Sequence, residues 1–528
     1  MSSHTFLPDN YWDNLKTTPE DFSYLFNYLL ECETPLTTGE LFSELVKDRI
    51  NREKKKISDK QKSAGKAYLP REHYKVGASL SFPQFDDKKG KVLSLRAGNN
   101  PEYPPFEVIE VDLEDGEHHF LAAGLEDHVL NEIPTTTDSD ENLDASVVIS
   151  KYSESLTPKL EEALKDRTDL VRIAGRWFAK SLLVDVNAGH LNLAEATLDM
   201  ANGGPLPTGE LQKQVELSSD VNPKLLEFSL NYALQEDPRF DEVGPSGEVI
   251  WYLHRCEPDQ VRETPLWLKY TPAAKESIEL AEDMRSFCVR MADELDDMCS
   301  EPFREDEVVL PLIYPHWRAG TLPLNHLDAS IFPTAIESPR IQFTFVDENH
   351  HDRFTGWVVR NGKYLYGLKS YYESEGLIPG SLIHIKRSNN AGEVIIRTEK
   401  SRSNREWIRT ALIGADGGIV FALLKQPVTA TYDERMAILI PDVDALDTLW
   451  NSPAKQKSNP ENLIINTLRN LAKLNPQGHV HAQELYSAIN IIKRMPVSPI
   501  LSNLVNHTQI KYVGDYYFRV AESEEESA

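Results

Sequence analysis

Cysteine is scarce in this chain. Cys32, Cys256, Cys288 and Cys299 are scattered through 528 residues without a Cys-x-x-Cys pair, so neither a zinc ribbon nor a disulfide framework is expected. No apolar run reaches the ~18 residues of a membrane helix. The opening MSSHTFLPDNYWDN has no basic and apolar regions of a signal peptide. These absences point to an intracellular protein, cytoplasmic or nucleoid-associated, with no membrane partner.

Catalytic motifs are missing as well. There is no GxxxxGK[ST] phosphate loop, no GxGxxG after a strand and no GxSxG elbow. His118-His119, His350-His351 and His479-x-His481 are the close histidine pairs, and two histidines without a nearby cysteine do not close a zinc site. Glu393, Glu399 and Lys400 come nearest to a nuclease set, which needs paired carboxylates and a lysine to hold Mg²⁺ and activate water, but no well-placed aspartate precedes them. The expectation is a protein that is not an enzyme and takes no cofactor or metal.

Positive charge is the third shortage. The formal net charge is −27, which repels polyphosphate at long range. The cations present are concentrated. Residues 47–66 hold nine Lys or Arg against three acids, and residues 340–409 hold twelve against eight. Acids collect in 132–146, in 279–307 and in the tail ESEEESA. Local basic patches bind phosphate while acidic segments keep other faces off DNA or contact basic partners; the alternative is that both are solvated faces.

Patterns that are present divide the chain into α and β stretches. Phe22, Leu25, Phe26 and Leu29 have helical spacing, and Thr37 with Glu40 forms a capping box for the next helix. The sequence Pro-Leu-x-Thr-Gly-Glu-Leu occurs twice, at Pro35 to Leu41 and at Pro205 to Leu211, inside equivalent helix-turn-helix contexts; this is an internal repeat. After the second copy come a helix at Pro223 to Leu234 and two β-like pieces around Gly244-Pro245-Ser246-Gly247. The C-terminus has the same order: helices at Glu461 to Leu474, His481 to Ile489 and Ser498 to Asn506, then strands flanking a type I′ turn signal at Gly514-Asp515. Residues 70–131 alternate as a small β barrel or sandwich. Residues 272–300 read as the longest helix, with Ala281, Met284, Cys288, Met291, Leu295 and Met298 along a short seam. Residues 301–335, rich in proline, read as a wrapping segment.

Three short helices followed by a hairpin resemble the winged helices of polymerase-associated, chromatin- or restriction-linked proteins, the HARE-HTH group. The resemblance covers about 20–66, 190–255 and 460–520 and implies DNA contact through the third helix and wing. The first copy, with Lys54, Lys55 and Lys56, is the DNA candidate; the second has little basic charge in its third helix.

Arg353 to Arg387 carries a further resemblance. Phe354, Trp357 and Val359 alternate as a strand, Asn361-Gly362 is a two-residue hairpin signal, and Leu377-Ile378-Pro379-Gly380 turns into the strand Ser381 to Ile385. Trp357, Gly367, Tyr371, Gly376, Leu377 and Gly380 stand where the plant-type DNA-binding pseudobarrel of auxin-response factors and restriction-enzyme effector domains has them. Ser381 replaces that family's aspartate and Leu368 its tryptophan. The resemblance implies DNA contacts from Arg353, Arg360, Lys363, Lys369, Lys386 and Arg387.

The fold expected is therefore multidomain α+β, with three winged-helix-like domains, a small N-terminal β domain and a central β pseudobarrel. Its divisions are 1–69, winged-helix-like; 70–131, β domain; 132–164, acidic linker; 165–270, second winged helix; 271–335, long helix and wrapping segment; 336–450, pseudobarrel; 451–460, linker; 461–520, third winged helix; and 521–528, acidic tail. The function expected is a DNA-binding transcription or defence factor. The rival is a scaffold whose winged helices dock on transcription machinery or another protein partner, and a third reading is a cryptic metal-dependent nuclease.

Overall fold

Thr18 and Asp21 start the first helix of the computed structural model through a capping box, opening α1 (Pro19–Cys32). The structure describes residues 7, 10–63, 66–82, 88–131, 141–215, 222–245, 247–272, 280–296, 306–324, 331–335, 337–414, 417–452 and 459–521. Met298, the acidic tail after Ala521, residues 132–140 and the middle of the 451–460 linker lie outside them. Two units are distinguished, 1–183 and 184–528.

In the first unit, β1 (Leu36–Thr37) leads into α2 (Thr38–Ser63), 26 residues long. The Thr37 amide donates to Glu40 at 2.7 Å and the Glu40 amide to Thr37 Oγ1 at 3.2 Å, the expected box. Fully buried Asp21 ties α1 to α2 through Arg49 and Arg52. The chain then runs through β2 (Lys66–Ala67), β3 (Ser79–Phe82), β4 (Lys88–Ala97), β5 (Glu107–Leu113) and β6 (His118–Ala123), which form one sheet in sequence order, a single layer and not the two of a sandwich, the other arrangement expected being a barrel.

The helical unit is completed only afterwards. α3 (Ala145–Lys165) is followed by the hairpin β7 (Leu170–Ile173) and β8 (Arg176–Ala179), and β8 pairs with β1, Leu36 opposite Trp177. The β domain is thus an insertion between the second and third helices of the first repeat. The boundary at 69 cuts that repeat, and the "acidic linker" 132–164 contains its third helix. Asp144 caps α3, and Val148, Tyr152, Leu156, Leu160 and Leu164, each four residues after the last, form a buried stripe that the neighbouring acids obscured.

The second unit opens with an uninterrupted copy: α4 (Ala188–Met200), β9 (Leu206–Pro207), α5 (Thr208–Gln214), α6 (Pro223–Glu236), β10 (Phe240–Glu242) and β11 (Ile250–Leu253). Leu206 pairs with Trp251 as Leu36 does with Trp177. Short α7 (Asp259–Arg262) follows.

The expected long helix is short. α8 (Glu282–Met291) stops at Ala292, which has a φ of 57°. Asp293, Glu294 and Asp296 then turn inward, where Arg494, His316 and Ser498 take their carboxylates. The wrapping segment is structured too: β12 (Glu307–Pro311) and β13 (Thr321–Pro323) are strands of the central sheet, with α9 (Tyr314–Ala319) between them in the chain. With β14 (Arg340–Asp347), β15 (Arg353–Val359), β16 (Tyr364–Tyr366), α10 (Lys369–Ser374), β17 (Leu382–Arg387) and β18 (Glu393–Arg397) they make a seven-stranded curled half-barrel, ordered β12-β17-β18-β14-β15-β16-β13. The β-rich region therefore begins near 307, not 336.

Turn chemistry explains two details. Pro379 and Gly380 form a turn closed by Ser381 N to Ile378 O at 2.9 Å, with Gly380 at φ 96° and a Cβ there reaching 2.4 Å from Ala437 Cα. The β15–β16 connection is a four-residue loop in which Lys363, not Asn361 or Gly362, has positive φ, so the expected two-residue turn is absent.

Beyond the half-barrel, β19 (Lys400–Ile413) and β20 (Ile419–Ala430) form a long ribbon joined by β21 (Ile438–Leu439). α11 (Val443–Trp450) follows, and then a third copy: α12 (Pro460–Ala472), β22 (Val480–His481), α13 (Ala482–Ile492), α14 (Val497–Asn506), β23 (Ile510–Gly514) and β24 (Tyr517–Val520). Val480 pairs with Phe518, the counterpart of the Leu–Trp pairs. The positive φ residues of the β23–β24 turn include Asp515 and Tyr516, one position beyond the Gly514-Asp515 signal.

Candidate nucleic-acid interface

The half-barrel sorts its six nominated cations into different environments. Arg353 begins β15 and is ion-paired to Glu393 at the start of β18. Arg360 Nη1 donates to Ala335 O at 2.5 Å and Ser338 O at 3.3 Å, a structural tether. Lys369 is half-buried at the start of α10, its ammonium 4.8 Å from the Trp317 ring centre and 3.5 Å from Glu373. Burial and nearby Arg318 push its pKa down. Lys363 is exposed on the β15–β16 loop.

Lys386 and Arg387 differ. They end β17, are exposed, and their side chains have no hydrogen-bond or ion-pair partner among the described residues. Lys386 faces Glu307 across the β12–β17 ladder, but Glu307 is already engaged by Arg397 at 2.7 Å and His384 at 2.9 Å. Because strand side chains alternate, Lys386 and Arg387 point to opposite faces.

Lys54, Lys55 and Lys56 lie exposed on the C-terminal half of α2, with Lys56 2.9 Å from Glu53. They are not on the third helix of their repeat. That helix, α3, carries three Lys and three Glu. In the second copy α6 buries Leu225, Leu226, Phe228, Leu230 and Leu234, and in the third α14 has no charged residue. None of the three third helices presents a basic face.

One feature of the ribbon escaped sequence reasoning. Arg405 and Trp407 alternate on β19, and Lys425 on β20 pairs directly with Trp407. Their side chains therefore share one face. Trp407 is 69% exposed. Arg405 and Lys425 are exposed and without a hydrogen-bond or ion-pair partner among the described residues. Arg409, next on that face, is held by Glu484 at 3.0 Å and by the Glu434 carbonyl. The readable signal was the alternation Arg-x-Trp-x-Arg at 405–409.

Such a face can do two things chemically. Cations free of carboxylates contact phosphates without first breaking an ion pair, and an exposed indole beside them stacks on an unpaired base.

The residues of the nuclease reading do not converge. Glu393 and Glu399 are six residues apart, with most of that stretch in extended β18, so about 20 Å of chain separates them. Glu393 is held by Arg353 and Asn390, and Lys400 sits 3.2 Å from Glu375.

Comparison with protein-family models, with curated proteins and with solved structures finds no match to this chain.

Proposed function

We propose that this chain is a multidomain nucleic-acid-associated protein without catalytic activity, acting in transcription or defence. In this reading the half-barrel is a plant-type DNA-binding pseudobarrel and the three helix–hairpin repeats are winged helices. The observation that carries it is a set of four unpaired, exposed cations: Lys386 and Arg387 at the end of β17, and Arg405 and Lys425 on the ribbon face they share with Trp407. Their neighbours Arg353, Arg360 and Arg409 are all tethered. DNA contact thus falls to the half-barrel and ribbon.

The neutral or buried third helices favour a complementary role for the repeats, docking on proteins of a DNA-bound machine such as transcription machinery. A protein scaffold that makes no DNA contact is the second reading, favoured by that same observation and by the charge of −27.

Fluorescence anisotropy of the full chain with random-sequence duplex, at rising salt, separates the two. The proposal expects binding at low salt that falls steeply as salt is raised. No binding at low salt leaves the scaffold. Cleavage of the duplex when Mg²⁺ is added would overturn the non-enzymatic reading.

A further inference from the structure

The hairpin of the second repeat brings three metal-ligating side chains to one point. Asp241 lies on β10; β11 runs into a single turn that carries His254, and Glu257 follows. The turn is fixed by His254 N to Arg239 O at 2.9 Å and Glu257 N to His254 O at 3.3 Å. One ligand atom from each of Asp241, His254 and Glu257 lies within 4.8 Å of the other two. His254 Nδ1 is 3.2 Å from Glu257 Oε2 and 3.9 Å from Asp241 Oδ2.

Glu257 supplies the second observation. It is only 3% exposed, and both its carboxylate oxygens lack a hydrogen-bond partner. A buried, unsatisfied carboxylate is costly, and natural structures retain few without a reason. Arg340, from β14, does not relieve it: its Nη1 is bonded to Asp241, while its Nε donates to Val261 O at 3.2 Å and stands 3.7 Å from Glu257.

We infer that Asp241, His254 and Glu257 bind a divalent cation of the zinc class. Metal–ligand bonds of about 2.0–2.1 Å in a tetrahedron place ligand atoms about 3.3–3.4 Å apart. The two measured separations from His254 Nδ1 bracket that value. One imidazole with two carboxylates suits Zn²⁺ or Co²⁺ better than the all-oxygen ions Mg²⁺ and Ca²⁺. Arg340 fits as the outer partner that orients Asp241. His254, with a side chain 40% exposed, leaves the solvent side open for a water as fourth ligand. The ion would clasp the hairpin where it already meets the half-barrel through Gln342 N to Val243 O at 2.9 Å.

The test titrates Co²⁺ and Zn²⁺ into the full chain after treatment with a chelator, following visible absorption of Co²⁺ and the melting temperature with Zn²⁺. The inference expects one tightly bound equivalent, d–d bands without a thiolate charge-transfer band, and a higher Tm. Glu257→Gln, which removes the buried charge and is expected to fold, should lose the ion, as should His254→Ala; Cys256→Ser should retain it. Three outcomes would overturn the inference: no stoichiometric uptake, uptake undiminished in Glu257→Gln, or a thiolate band that places the ion on cysteine.

Discussion

The indole Nε1 of Trp177 donates to Thr38 Oγ1 at 3.0 Å, joining the hairpin of the first repeat to the start of its second helix. Trp251 makes the same bond to Thr208, at 3.2 Å, but also reaches Asn231 Oδ1 at 3.0 Å. The two junctions should therefore respond differently to the same change. Thr38→Val strands a buried N–H and should cost about 1–3 kcal/mol, whereas Thr208→Val leaves Asn231 as acceptor and should cost about 1 kcal/mol. Hydrogen exchange of 170–179 and 250–253 reads each locally; equal loss of protection would contradict the assignment.

These junctions also show what was legible in the sequence. Pro-Leu-x-Thr-Gly-Glu-Leu marked both because three of its positions have a local duty: Leu36 and Leu206 pair with the Trp, Thr38 and Thr208 accept its bond, and Leu41 and Leu211 are fully buried. What could not be read locally was that Leu36 finds Trp177 across an inserted β domain, since pairing partners 141 residues apart leave no periodicity. The seam of 272–300 misled for a related reason. Ala281 to Met291 has helical spacing, yet the helix stops at Ala292, and Asp293 and Glu294 just beyond it meet Arg494, about 200 residues away. For the candidate interface, net charge identified the basic region, but only geometry separates tethered Arg360 from unpaired Arg387.

Arg494 is fully buried and holds Asp293 through Nη2 at 2.5 Å and Nη1 at 2.8 Å, and Glu294 through Nη2 at 2.9 Å. Burial alone would raise the Glu294 carboxyl, but Arg494 and His316 outweigh it and hold it well below the usual range. Arg494→Met should cost about 3–5 kcal/mol, since it abandons two buried carboxylates. Adding Asp293→Asn and Glu294→Gln should recover a large part. Urea unfolding of the single and triple variants decides; a triple variant no better than the single would mean that packing of the guanidinium, not charge, is what matters.

Unpaired and tethered cations make separable predictions for DNA. Reversing Lys386 and Arg387 to Glu should lower the slope of log affinity against log salt by about 2, near 0.9 per lost phosphate contact. Arg353→Ala, which removes a cation already neutralised by Glu393, should leave the slope nearly unchanged. Trp407→Ala should weaken binding to single-stranded DNA by about 1–3 kcal/mol and leave the salt slope intact. Anisotropy titrations at several salt concentrations measure all three, and an Arg353→Ala effect as large as the double reversal would displace the interface from the end of β17.

His481 caps α13 by accepting the Gln483 amide on Nδ1 at 3.1 Å, and it is buried beside Phe287 and Tyr517. Burial, then the charges of Arg435 and Arg290, push its pKa down to about 4. The unfolded chain takes up this proton near pH 6.5, so between 6.5 and 4 the unfolded state binds more protons than the folded one, and stability falls on acidification. A gap of about 2.5 units corresponds to about 3 kcal/mol. Asp296 acts in the opposite sense, because burial raises its carboxyl to about 6 and its contribution is lost as pH rises toward that value. The comparison must therefore be with His481→Asn, which keeps a capping acceptor, does not titrate and leaves Asp296 in place. The stability of wild type minus that of the variant should be constant above pH 7 and decline from 6.5 toward 4. A difference flat across that window would show that the ring is not held neutral by its surroundings.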